Sequence, residues 1–271
     1  MAGTLVIVGT PIGNLKDASD RLRETLGRVE VIACEDTRRT GKLVHALEIE
    51  SPARLVSYFE QNERRRIPEL LAHLRDGRDV ALVSDGGMPA FSDPGYRLVK
   101  ACIEAGIEVD VVPGPAAAVA ALVVSGLPTD RFAFEGFTPK KGRRARLEEV
   151  AADPRTLVFF ESPNRLRSFL DEAAEVLGPD RLAAVVRELT KLHQEIRRGG
   201  LRELAEATPD QVKGEVTVVI EGATPARHDL DALAARVKAL MEEGMSRKDA
   251  AARVAEETGA SKRALYDASL G

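Results

Sequence analysis

The sequence predicts an α/β protein, two α/β/α domains followed by a small helical extension, and three observations carry that expectation. Short β-branched runs alternate with helix-length periodic segments from the first residue to about residue 223, the pattern of mostly parallel sheets covered by helices. The length of 271 residues, set against roughly 150 per domain, gives about two domains, each able to bury its own core. From about Thr224 the strand-like runs vanish and Ala, Glu, Lys and Arg dominate. The boundaries fall at 1–113, 114–223 and 224–271.

The first domain opens with the strand candidate Thr4–Val8, and further candidates follow at Val29–Cys34, Leu55–Tyr58, Asp79–Val83 and Val109–Val112. Gly77 and Gly106 close intervening helices, because the residue after a helix often adopts a left-handed conformation that glycine tolerates. After Pro113-Gly114-Pro115 an Ala-rich helix runs to Gly126. The runs RFAFEGF, TLVFFE, RLAAVVREL and GEVTVVIEG then supply the strands of the second domain. In the tail, DLDALAARVKALMEEG, SRKDAAARVAEETG and SKRALYDASL read as three helices, with Ser246 and Ser261 as N-caps and Gly244 and Gly259 as stops. The last two have the look of a helix-turn-helix. Lys plus Arg and Asp plus Glu both number eight from Pro225 onward, so the basic footprint of a groove-binding module is missing and packing or dimerisation is the favoured role.

Composition excludes several classes. Apolar residues at 44% and charged residues at 30% are the ordinary globular mixture. No run approaches the roughly 18 apolar residues of a membrane span, and the start MAGTLVIVGTPIGN lacks the basic region and cleavage site of a leader, so a cytoplasmic protein is expected. Cys34 and Cys102 each lie in an apolar stretch and read as buried reduced thiols. His45, His73, His193 and His228 are scattered without a second ligand at metal-site spacing, and no metal is expected. With a net charge of −4, any phosphate contact must come from a local patch.

Three strands end in loops stripped of bulk: Gly9-Thr10-Pro11-Ile12-Gly13-Asn14, the run Ser84-Asp85-Gly86-Gly87-Met88-Pro89-Ala90-Phe91-Ser92-Asp93-Pro94-Gly95, and Pro113-Gly114-Pro115 with the small residues Ala116–Ala118. The carboxyl ends of strands are where open α/β sheets bind ligands. Neither the dinucleotide pattern G-x-G-x-x-G nor the phosphate loop G-x-x-x-x-G-K-[ST] occurs, so hydride transfer and nucleotide hydrolysis lose weight. A glycine-rich loop surrenders backbone entropy, and close approach of backbone groups to a ligand is the compensating gain. An adenosine or another flat molecule, held by backbone groups and apolar walls, fits that description.

At these residues the sequence resembles the tetrapyrrole methylase-like (class III) S-adenosylmethionine methyltransferases. GTPIGNL, EDTRRTGKL, SDGGMPAFSDPG, VVPGPAAAVAALVVSGLPTDRFAFEGFTPKKGRR, FFESPNRL, RELTKLHQE and GEVTVVIEG match family motifs in order across about residues 3–223; Met88 stands where a threonine is common and Asn164 where a histidine is common. Within the family, the resemblance is strongest to the members that methylate the ribose 2′-hydroxyl of a decoding-centre cytidine in 16S rRNA. It implies S-adenosylmethionine in a cleft between two α/β domains, with Pro11, Ile12, Asp85, Gly86, Gly87, Met88, Phe91, Ala116, Ala117, Glu161 and Leu189 against it. It also implies 16S rRNA within the 30S subunit as partner, and a homodimer. The alternatives are a methylase of a corrin or porphyrin precursor, or a non-catalytic nucleic-acid-binding protein acting through the C-terminal helices.

Methyl transfer from a sulfonium needs chiefly alignment, worth on the order of 7–11 kcal/mol in favourable cases. A general base adds about 10²–10⁴-fold. Candidates for a group near the acceptor are Glu35, Asp36, Glu161, Glu188, Lys191 and His193, with Asp36 and Lys191 favoured as catalytic residues and Arg38 as a pairing partner on the substrate side. Consecutive residues of an extended segment face opposite ways, so at most one of Glu35 and Asp36 reaches the cleft. The clearest RNA signal is Lys140-Lys141-Gly142-Arg143-Arg144-Ala145-Arg146, with Arg64-Arg65-Arg66 and Arg197-Arg198 as supplementary patches. A solvated surface is the competing meaning of each charge run.

Overall fold

The computed structural model describes residues 2–224 and 230–270; His228 and Asp229, where the sequence predicts the first tail helix to begin, lie outside them. Residues 1–223 form one compact unit and residues 224–271 a second. The first unit contains two separate five-stranded sheets.

The first sheet takes β1 (Leu5–Val8), β2 (Val31–Cys34), β3 (Arg54–Ser57), β4 (Val80–Val83) and β5 (Val109–Val112), in the order β3-β2-β4-β1-β5, with every pairing parallel. Parallel strands need crossovers. These are supplied by α1 (Asp20–Arg28), α2 (Thr37–Ala46), α3 (Glu63–Arg75) and α4 (Tyr96–Glu104). The strands β1, β2 and β4 are buried along their whole length, as continuous apolar runs covered on both faces must be. One face packs against Leu70, Leu74 and Leu98, the other against Leu22 and Leu26 of α1, a helix capped by the Ser19 hydroxyl accepting from the Leu22 amide. Cys34 and Cys102 are buried and unpaired in these two separate clusters.

After α5 (Ala117–Ser125) the second sheet departs from the mostly parallel arrangement that the sequence suggests. Its strands are β6 (Phe132–Phe137), β7 (Thr156–Glu161), β8 (Leu182–Arg187), β9 (Glu195–Gly200) and β10 (Val216–Ile220), with α6 (Arg143–Val150), α7 (Leu166–Leu177) and α8 (Leu201–Glu206) between them. The order is β6-β7-β10-β8-β9, and only β6 and β7 are parallel; β10 runs antiparallel to both β7 and β8, and β9 antiparallel to β8. The short link from β8 to β9 permits only an antiparallel return. β9 has no counterpart among the expected strands. Its sequence EIRRGG carries two arginines and two glycines, a composition tolerated because the strand lies at a sheet edge.

The second unit holds α9 (Leu230–Glu242), α10 (Arg247–Thr258) and α11 (Lys262–Ala268) around Val237, Ala250, Val254 and Leu265. Ser246 and Ser261 cap α10 and α11 through their hydroxyls, and Gly259 ends α10 in the left-handed conformation, as the sequence indicates.

Candidate active site

The three bulk-free turns meet at the carboxyl edge of the first sheet and are tied to one another. Thr10 and Gly87 form an isolated antiparallel bridge, the Thr10 amide donating to the Gly87 carbonyl at 2.9 Å and the Gly87 amide to the Thr10 carbonyl at 3.1 Å. The Gly114 amide donates to the Met88 sulfur at 3.2 Å, so Met88 links the second turn to the third. Gly9 and Gly114 complete the closure. A Cβ on Gly114 would lie 2.8 Å from the backbone of Gly9, and one on Gly9 would lie 2.6 Å from the Gly114 nitrogen, so neither position has room for a side chain.

Above this edge opens a cavity of about 530 Å³ whose far wall comes from the second sheet. All eleven residues that the family resemblance assigns to the cofactor line it: Pro11, Ile12, Asp85, Gly86, Gly87, Met88, Phe91, Ala116, Ala117, Glu161 and Leu189. Lys191 lines it too. The size suits a small molecule, and backbone groups of the glycine turn form much of the floor. Phe91 stacks on Phe134 with ring centroids 4.5 Å apart, fixing the outer part of the glycine loop against the second sheet.

The far wall follows from strand direction. Because β10 is antiparallel to its neighbours, its start lies beside the ends of β7 and β8: Val216 is in register with Glu161 and with Arg187. Gly214, Glu215, Val216 and Thr217 therefore face the cavity, although an all-parallel sheet would have placed them at the opposite edge. Sequence reading missed them for that reason.

Two loops carry local strain. Among the described residues five non-glycines have positive φ, and four of these sit in loops bordering the cavity: Ala90 and Ser92 after β4, Glu188 and Thr190 after β8. Such conformations cost about 1–3 kcal/mol each and persist where the surroundings enforce them. The stem of Lys191 lies against Gly13 across the cleft. Its ammonium donates to Glu188 and Glu215, both at 2.8 Å. Partial burial alone would lower the lysine's pKa, but the two carboxylates outweigh it and raise it above the ordinary value. Lys191 is a cation at neutral pH and not a proton acceptor. Glu161 is fixed as firmly, accepting from the Thr138 hydroxyl, the Ser162 amide at 2.6 Å and the Arg165 guanidinium at 2.6 Å.

The adjacent acids at the end of β2 separate as the alternation of an extended segment requires. Glu35 lines the cavity and Asp36 does not. The Asp36 carboxylate is the N-cap of α2, accepting from the Arg38 and Arg39 amides, and Arg38 folds back onto it at 3.3 Å; the Arg38 hydrogen bond holds its pKa below the ordinary carboxylate value. Burial pushes Glu35 up to about 7, with the charges of Asp93 and Asp85 adding to the rise, while the Asp85 amide and Arg39 oppose it. Asp93, also in the cavity wall, is pushed up to about 6 by burial and Asp85 against a hydrogen bond from Ser84.

The basic cluster is divided as well. Arg143 is paired with Glu172, Arg144 with Glu148 at 3.2 Å and Glu175 at 3.0 Å, and Arg146 with Glu135 and with Glu149 at 2.6 Å. These arginines pin α6 to α7 and to β6. Among the described residues, Lys140 and Lys141 are exposed with no acid within 4.0 Å, three and four residues beyond Phe137 of the cavity wall. Arg197 and Arg198 are used structurally, donating to the Ala207 carbonyl at 2.9 Å and the Ser125 carbonyl at 2.9 Å. Arg64 and Arg65 are exposed, and Arg66 pairs with Glu69 at 2.6 Å.

Comparison with known proteins agrees with this architecture. The family model for Tetrapyrrole (Corrin/Porphyrin) Methylases matches residues 4–205, and one for the RsmI C-terminal HTH domain matches residues 228–271. A Mycobacterium tuberculosis protein named ribosomal RNA small subunit methyltransferase I is 49% identical over 99% of this chain and 95% of its own length. One of the same name from Escherichia coli O157:H7 is 45% identical over 99% and 95%. Another, from Thermotoga maritima, is 49% identical over 222 residues, covering 81% of this chain and 99% of that protein. Among solved structures, the methyltransferase CobJ aligns with a TM-score of 0.63 at 22% identity, over 84% of this chain and 97% of that one. Uroporphyrin-III C-methyltransferase from Thermus thermophilus, complexed with S-adenyl homocysteine, aligns with a TM-score of 0.57 at 22% identity, over 81% and 97%. At that identity the two structures speak for the fold. Taken with the interlocked turns and the cavity above them, the matches establish that the chain belongs to the tetrapyrrole methylase family.

Proposed function

We propose that this chain transfers the methyl group of S-adenosylmethionine to the ribose 2′-hydroxyl of a decoding-centre cytidine in small-subunit ribosomal RNA. The observation that carries the reading is the cavity itself, floored by three interlocked turns whose contact at Gly9 and Gly114 leaves no room for a side chain, and large enough for an adenosyl sulfonium. The choice of substrate is supported by relatives whose name specifies the small-subunit ribosomal RNA and which match this chain through its C-terminal helices.

In this reading residues 1–113 and 114–223 form the two lobes of the enzyme. Pro11, Ile12, Gly86, Gly87, Ala116 and Ala117 hold the donor largely through backbone atoms, Met88, Phe91 and Leu189 supply apolar walls, and Asp85 and Glu161 fix polar edges. The donor brings an activated methyl group. The chain's own part is to align the acceptor oxygen, exclude water and accept a proton. Lys191 contributes a fixed positive charge at the rim, and Lys140 and Lys141 meet the RNA backbone. We place the reaction in the cytoplasm, on the 30S subunit, with a homodimer as the working form. The test is transfer of labelled methyl from the donor into 30S subunits that lack the modification, with the nucleotide mapped by mass spectrometry. Label on one decoding-centre ribose supports the reading, whereas label on a base, or none, refutes it.

A further inference from the structure

Resting on the methyl-transfer reading, we propose that the Glu35 carboxylate takes the proton of the acceptor hydroxyl, and that the acceptor approaches over the end of β2. In the step, a lone pair of the 2′-oxygen forms a bond to the methyl carbon and the carbon–sulfur bond breaks with its electrons remaining on sulfur. The hydroxyl proton passes to Glu35 and leaves to solvent when product departs.

The partners of the other ionisable groups in the cavity wall single out Glu35. Asp85 is held by Arg39 at 3.0 Å. Glu161 is saturated by Thr138, Ser162 and Arg165. Lys191 is charged and shares its proton donors between Glu188 and Glu215. His193 is exposed and lies outside the wall. Among the described residues only Glu35 and Asp93 in that wall have no cation within 4.0 Å, and Asp93 belongs to the glycine turn on which the donor rests whereas Glu35 does not. Among the described residues no side chain hydrogen-bonds to the Glu35 carboxylate.

Position agrees. The edge of the first sheet offers backbone turns at the ends of β1, β4 and β5, but a carboxylate side chain at the end of β2. Cys34 is in register with Val83, which sets Glu35 directly beside the start of the glycine turn. Arg39 and Leu43 of α2 flank it in the wall. A donor resting on the turns at β1, β4 and β5 therefore leaves the β2 end for the acceptor.

The charged groups facing Glu35 are Asp85 and Asp93 from the loop after β4 and Arg39 from α2. Burial and the two acids bring its pKa to about 7, where a general base is half ionised at the operating pH and strong enough to accept a proton during transfer.

The test is single-turnover methylation of unmodified 30S subunits at saturating donor from pH 5.5 to 8.5, with thermal melts and equilibrium dialysis of labelled S-adenosylmethionine on each variant. The wild type is expected to speed up as pH rises through about 7. Glu35→Gln is expected to be about 10²–10⁴-fold slower without that rise, with donor affinity within about threefold of wild type, since the residue lies off the donor's turns. Glu35→Asp restores part of the rate and keeps a pH-dependent limb. Asp93→Asn retains the limb at lower pH, because removing a like charge lets Glu35 ionise earlier. Wild-type rate in Glu35→Gln overturns the proposal, as does an intact limb or a loss confined to donor binding. Should Glu35→Gln fail to fold, Glu35→Asp decides: an unchanged profile overturns the proposal. A wild type that binds donor yet methylates no ribose overturns the methyl-transfer reading and this inference with it.

Discussion

At the scale of single residues, the cavity is built at some expense to stability. Glu35 and Asp93 both have pKa values raised by burial, to about 7 and about 6. A carboxyl whose pKa is higher folded than unfolded binds its proton more tightly in the native state, so the associated loss of stability grows as pH rises from the unfolded value and is complete above the folded one. For Glu35 that window runs from the ordinary 4.5 to about 7. Glu35→Gln is therefore expected to be more stable than wild type at pH 8, on the order of 1–2 kcal/mol once solvent screening is allowed for, with the gain vanishing below about pH 4.5. Urea denaturation at several pH values measures it; a gain that grows toward acid pH contradicts the assignment. Gly114 tests the floor of the cavity. A Cβ there meets the backbone of Gly9 at 2.8 Å, and backbone has little freedom to retreat. Gly114→Ala is expected to lose about 1–3 kcal/mol, as overpacked sites do, and to weaken donor binding as the turns separate. Unchanged melting temperature and unchanged affinity together count against the interlock.

At the scale of elements, what the sequence could reveal depended on whether neighbours were close in the chain. The strands Leu5–Val8 and Val80–Val83 were legible as apolar runs because central parallel strands are buried on both faces, and the edge strand Val109–Val112 as a short β-branched run interrupted by Asp110. Their bulk-free loops were legible because glycine and proline are local signals. Strand direction in the second sheet was not. It depends on which strand pairs with β10, a long-range choice that leaves no local mark, and it conceals Gly214–Thr217 as part of the wall. The run from Lys140 to Arg146 was legible as charge but not as partnership, because Glu135, Glu172 and Glu175 come from other elements. The division has a measurable consequence. Replacing Lys140 and Lys141 with alanine removes two unpaired charges, and the salt slope of RNA affinity is expected to fall by about 1.4–1.8. Arg143→Ala is expected to act chiefly on stability, leaving Glu172 without its partner. Equal slope changes from both sets contradict this sorting of the cluster.

At the scale of the whole molecule, residues 1–223 are compact on their own and contain both walls of the cavity. One relative aligns over 222 residues with 99% of its length, close to the extent of that unit. A truncation after residue 223 is accordingly expected to fold and to bind donor with affinity within about threefold of the full chain; any effect of the missing helices then falls on RNA affinity or oligomeric state, read by filter binding and light scattering. Loss of donor binding in a folded truncation contradicts the location of the site. The most direct test of the central claim is equilibrium dialysis of labelled S-adenosylmethionine against the full chain and against a Gly9→Val, Gly114→Val variant. One saturable site per chain, competed by S-adenosylhomocysteine and lost when the two glycines are filled, is the expected result; no binding by the intact chain, or binding indifferent to the filled turns, contradicts it.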